Sequence, residues 1–118
     1  MAVLKQLPKD RWFEYFEAFT KNFLTDANPE AAEVEVVSPD LGDQIGVKQA
    51  RVLGITYDRH KDSLEFAFEG GDHRIANPQE IWVQEDGNGF AGLLEVVRPD
   101  ETREIIRMAG VGVVPARG

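Results

Sequence analysis

The chemistry-bearing side chains gather in two neighbouring stretches, Asp58-Arg59-His60-Lys61-Asp62 and Asp72-His73. Asp-x-His-x-Asp in a loop would offer three ligands to a divalent ion, and His73 would join from the next hairpin. The spacing matches no established metal motif. Arg59 and Lys61 would repel a cation from the same loop. The plainer expectation is a solvated hairpin in which Asp58 and Asp62 accept turn hydrogen bonds. By the period of two, His73 shares a face with Ile75 and points inward. An inward histidine is commonly a core residue bonded to a backbone carbonyl. The functional alternative is a general base oriented by a carboxylate such as Asp58 or Asp72. Asp58, His60, Asp72 and His73 are therefore the ligand-binding candidates, with no catalytic residue and no metal site assigned.

Other constellations are weaker. The only serines are Ser38 and Ser63, and neither lies in G-x-S-x-G. With 21 acids, sequence alone selects no carboxylate pair for glycoside chemistry. Gly87-Asn88-Gly89-Phe90-Ala91-Gly92 matches G-x-G-x-x-G, but Leu93–Val97 after it reads as a strand. A dinucleotide fingerprint needs a helix there, so the match reads as a hairpin turn. Trp82 lies opposite Ile81 and Val83 on its strand, leaving both faces apolar. It is the interface candidate, because one tryptophan buried between subunits contributes strongly to association.

The bulk composition narrows the classes. The chain has 118 residues, 13 Lys plus Arg against 21 Asp plus Glu, a net charge of -8 and no cysteine. Disulfide frameworks, thiol nucleophiles and thiolate metal sites are excluded. Residues 26–46 carry six acids and no base. Such a chain repels phosphate backbones, so no nucleic-acid partner is expected. No run approaches the roughly 20 apolar residues of a membrane helix. The start, Met1 to Pro8, lacks a charged segment followed by an apolar run, so no signal peptide, no membrane and a cytoplasmic home are expected. No cofactor is implied.

The elements that must position these residues are legible in the periodicity. Trp12, Phe16, Phe19 and Phe23 lie on one helical face, widened by Phe13, Tyr15 and Leu24. Pro8 suits a first helical position and Asn28-Pro29 a stop, which predicts a helix over about 8–25. Six of the 11 aromatics fall between Trp12 and Phe23. One helix cannot bury that surface alone and must lie across something apolar.

After Pro29 the period becomes two. Val34 and Val36 lead, then Leu53, Ile55 and Tyr57, then Leu64, Phe66 and Phe68. His73 and Ile75, Ile81 and Val83, Leu94 and Val96, and Ile105-Ile106 follow. Alternation with short turns is the habit of antiparallel sheets. The expected architecture is α+β: one N-terminal helix packed on a curled antiparallel meander of six or seven strands, over about 33–108, forming a partial barrel or roll. Residues 1–118 read as a single domain, with 109–118 as a frayed tail or an edge strand.

The order of landmarks resembles a family of short prokaryotic proteins catalogued as a domain of unknown function, number 5335. The carrying residues are Pro8 and Trp12, Pro39-Asp40-Leu41-Gly42, Leu53 to Asp58, His73-Arg74-Ile75 with Pro78, and Glu85-Asp86-Gly87. The resemblance spans about residues 8–108 and implies one compact domain without adding an activity. The functional expectation is a non-catalytic protein-interaction or self-associating module, with a homodimer or another protein as partner. The alternative is a small-ligand or metal-binding domain, or a weak hydrolase, centred on His73 with Asp58, His60 and Asp72.

Overall fold

The aromatic segment has one dry face. In the computed structural model, Trp12, Phe16 and Phe19 are buried on helix α1, Trp12–Phe19. The structure describes residues 4–24, 30–38, 42–87 and 89–110, and of 30–49 and 109–110 the backbone alone. The helix is shorter than the expected 8–25. Pro8 is extended (φ -62°, ψ 141°) and is followed by a 3-10 turn, Lys9–Arg11, closed by Arg11 N–H to the Pro8 carbonyl at 2.9 Å. A π turn, Thr20–Leu24, follows α1. It begins where the Thr20 hydroxyl leaves the helix for the Ile55 backbone, donating to the carbonyl and accepting from the N–H, both at 2.9 Å. The wider turn shifts the phase, so Leu24 is buried and Phe23 is half-buried. The Asn28-Pro29 stop lies outside the described residues.

Seven strands follow the helix: β2 Glu30–Ser38, β3 Gly42–Asp58, β4 Ser63–Phe68, β5 Gly71–Ala76, β6 Glu80–Glu85, β7 Ala91–Val97 and β8 Arg103–Gly110. An eighth, β1 Leu4–Gln6, precedes it and pairs with β6. Three exposed residues give no alternation to read, which is why the count of six or seven falls one short. Every pairing is antiparallel, in the order β1-β6-β7-β8-β2-β3-β4-β5.

That order corrects the single meander. Alternating directions would make β2 and β8, first and last of seven, run the same way. Their pairing is antiparallel, so the alternation resets once. It does so between β5 and β6, the one consecutive pair in this run that shares no ladder. Two meanders, β2–β5 and β6–β8, are thus joined through β2 and β8. The sheet curls without closing into a barrel.

The core lies inside this curl. Ile55, Tyr57, Leu64, Phe66, Phe68, Ile75, Ile81, Val83, Leu94, Val96 and Ile106 are all buried, in the expected phase. A register shift between Val52 and Gly54 against Phe68 and Ala67 alters β3. It turns Val52 inward and leaves Leu53 47% exposed, whereas strict alternation placed Leu53 beside Ile55. An inserted residue reverses the facing of everything before it. Helix α1 closes the curl from β3 to the β6–β7 turn: Trp12 meets Tyr57 edge-on at 5.2 Å, and Phe19 meets Phe90 at 5.6 Å. At one end of the bridge Trp12 Nε1 donates to the Leu7 carbonyl at 3.0 Å. At the other, the Tyr15 hydroxyl donates to Glu85 at 2.5 Å.

Candidate functional site

The structure does not bring Asp58, His60, Asp72 and His73 into one cluster. Asp58 caps the β3–β4 turn, accepting from His60 N–H at 2.9 Å and Lys61 N–H at 3.1 Å. These donors, that of Lys61 foremost, hold its carboxyl below the ordinary carboxylate range. His60 is exposed on the same turn. Asp62 accepts from the Tyr57 hydroxyl at 2.5 Å and from the Asn77 amide at 3.3 Å, with Lys9 Nζ 3.8 Å away. Asp58 thus makes the turn hydrogen bonds that the plainer reading expects, whereas Asp62 ties the loop to Tyr57 and Asn77 instead. Among the described residues no three His, Asp or Glu side chains are placed to hold a metal ion. The G-x-G-x-x-G stretch contains the β6–β7 turn, closed by Asp86 N–H to the Phe90 carbonyl at 3.0 Å, and β7 follows it.

Tyr57 carries a pH signature. Burial, and next the Asp62 carboxylate to which it donates, push its hydroxyl up from 10.0 to about 12. The same bond is the foremost cause that holds Asp62 low. A raised hydroxyl contributes stability that is complete below pH 10.0 and is lost as pH rises through about 12. Tyr57→Phe is expected to cost about 1 kcal/mol at neutral pH and to flatten the alkaline loss of stability. Urea melts at stepped pH read both effects.

His73 behaves differently. It points inward from β5, and its Nε2 lies 2.6 Å from Oε1 of Glu104 on β8. Glu104 is 3% exposed. Its Oε2 accepts from Arg98 at 3.2 Å, and Arg98 also reaches Asp100 at 3.5 Å. Asp100 accepts from Thr102 N–H at 3.0 Å, which shapes the β7–β8 turn. The carboxylate partner of His73 is therefore neither Asp58 nor Asp72. Asp72 neighbours His73 on β5, so it projects from the opposite face. Glu104 shares its phase with buried Ile106 and Met108, a period-two signal already present in the sequence. Nothing there indicated that β8 would face β5.

The Arg98–Glu104–His73 row floors a groove of about 450 Å³ between β5 and the β7–β8 turn, walled by Ile75, Ala76, Pro99 and Asp100. Strand β5 is the last in the sheet order, so among the described residues its outer edge has no ladder. The hairpin phase identifies which backbone groups face outward. Asn77 N–H donates to the Asp62 carbonyl at 2.7 Å, which makes this opposed pair a hydrogen-bonded one. Pairs alternate along an antiparallel ladder. His73 and Ile75 therefore bond to β4, while Asp72, Arg74 and Ala76 direct N–H and C=O to the free edge. The edge thus presents backbone donors and acceptors beside an imidazole that Glu104 orients. The hydroxyl nearest in sequence, Ser63, is buried and engaged by Arg74 Nε at 2.8 Å.

Trp82 is half-buried on β6, with Nε1 donating to Glu80 at 3.0 Å. Its ladder neighbours are Gln6 and Glu95. Glu95 is also engaged by Arg103.

The site is thus a sheet edge beside a polar groove, and comparison with known proteins gives the family of the chain. The model of a family of unknown function, DUF5335, matches residues 3–113, and the chain belongs to that family. An uncharacterised protein of Aquifex aeolicus (strain VF5) is 39% identical over 107 residues, covering 88% of this chain and 90% of the relative. No solved structure matches the chain. No helix among the described residues is long and apolar enough to cross a membrane.

Proposed function

We propose that the domain is a non-catalytic protein-interaction module that takes up an extended segment along the free edge of β5. The observation that carries this reading is the break between β5 and β6: among the described residues it leaves outward backbone groups at Asp72, Arg74 and Ala76 unpaired beside the groove of about 450 Å³. Adding a strand to an open edge is a recurrent mode of peptide recognition, with backbone bonds supplying affinity and side-chain pockets specificity. Of the described large apolar side chains only Leu4 and Leu53 are exposed. An edge therefore fits the surface better than a flat apolar patch.

A second reading, a small-ligand site centred on His73, draws support from the buried Glu104 that orients the ring. One experiment separates the two. Random peptides displayed on phage are selected on the wild type and on Arg74→Pro and His73→Ala variants. Proline at position 74 removes an outward N–H and leaves the ladder to β4 in place. The interaction reading expects selected peptides to lose at least tenfold in affinity for Arg74→Pro. Failure to select any peptide, or equal binding to that variant, overturns it. Loss confined to His73→Ala favours the small-ligand reading. Circular dichroism of each variant verifies the fold.

A further inference from the structure

Resting on that reading, we infer that the segment taken up by β5 is β5 of a second copy of this chain. The two strands run antiparallel about His73, with Asp72 of each copy opposite Arg74 of the other.

The inference follows from phase and charge. Only Asp72, Arg74 and Ala76 turn backbone groups outward, so two such edges join only by placing these residues opposite one another. Five two-fold registers satisfy that condition, centred on residues 72, 73, 74, 75 or 76, and the last sets Ala76 against Ala76 and carries both charged residues past the partner's strand end. The first sets Asp72 against Asp72. The third sets Arg74 against Arg74. The fourth sets Arg74 against Ala76 and leaves Asp72 beyond the strand end. Like charges directly opposite destabilise a ladder and opposite charges stabilise it. The register about His73 alone provides opposite charges, and provides them twice.

The side chains are available for this. Asp72 and Arg74 are exposed. The Arg74 side chain is 56% exposed, with Nε donating to Ser63 at 2.8 Å and 4.0 Å from Glu65, so both contacts are made through Nε. Edge strands commonly carry charge to repel a second edge. Here one acid and one base two residues apart make the edge complementary to itself. The edge residues 72–74 also balance in charge within a chain of net charge -8, so two copies approach where their mutual repulsion is least. Pairing over so few residues is expected to be weak and reversible.

Charge reversal tests the register. Sedimentation velocity over a concentration series should show a reversible dimer for the wild type. Asp72→Arg and Arg74→Asp should each weaken it at least tenfold. Mixed in equal amounts, the two variants should associate again, because each then faces opposite charge at both positions. The double reversal in one chain should dimerise like the wild type. A wild type that stays monomeric at the highest soluble concentration overturns the inference. Single reversals that leave the dimer unchanged, or a mixture that fails to associate, overturn it equally. Peptide selection on the wild type and Arg74→Pro reads the underlying reading separately. Edge-dependent peptides with a monomeric wild type would sink the self-pairing alone, and the loss of both would sink the two together. Thermal melts show whether each variant is folded, and the mixed-chain association is informative even where one variant is less stable.

Discussion

Phe16→Ala is expected to cost about 3–5 kcal/mol of stability. Phe16 is fully buried, the middle residue of the one helical face that closes the curled sheet. Its ring meets Tyr15 edge-on at 5.2 Å. The helix bridges β3 and the β6–β7 turn, so neighbouring elements cannot simply collapse into the space left. Large cavities cost most where collapse is prevented. For a domain of this size the loss is a large fraction of the ordinary 5–15 kcal/mol. Urea denaturation at neutral pH measures it. A loss below about 1 kcal/mol would show that the helix is not what seals the core. Glu14→Ala, on the exposed side of the same helix, is the control and should change stability by no more than about 0.5 kcal/mol.

The polar row through Glu104 should respond asymmetrically. Removing both of its partners, in a His73→Ala, Arg98→Ala double variant, is expected to cost about 3–5 kcal/mol, because it strands a carboxylate in the interior. Glu104→Met, which removes the charge and keeps the volume, is expected to fall within about 1 kcal/mol of the wild type. His73 and Arg98 then lie near enough to solvent to be rehydrated, at 23% and 37% exposed. Denaturation of the two variants at pH 7 compares them directly. Equal losses in both variants would mean that the row stabilises by packing and not by charge.

Much of the fold is legible before any coordinates. The helix declares itself because aromatics at positions 12, 16 and 19 share a face only at a period near 3.6. The strands declare themselves because Leu64, Phe66 and Phe68, or Ile81 and Val83, share a face only at a period of two. Boundaries are less legible. The helix ends early on both sides, since Pro8 stays extended and Thr20 turns its hydroxyl to β3. Strand β1 is too short to show a period, and the shift at Val52 reverses the facing of Leu53.

The site was half legible. His73 is inward by phase, and so is Glu104, but phase says only which way a side chain points and not what it meets. Asp58 and His60 lie near His73 in sequence but sit on the β3–β4 turn, where Asp58 is held by the backbone N–H groups of His60 and Lys61.

Local pattern was sufficient for the class of fold, one helix on an antiparallel sheet. It was sufficient too for the inward turn of His73, since both follow from the spacing of neighbours along the chain. Strand order, the meeting of β5 with β8, and the unpaired edge that the reading of function rests on belong to contacts between distant segments. Those depend on how the curled sheet packs its two meanders around one core, and no period in the chain records that choice.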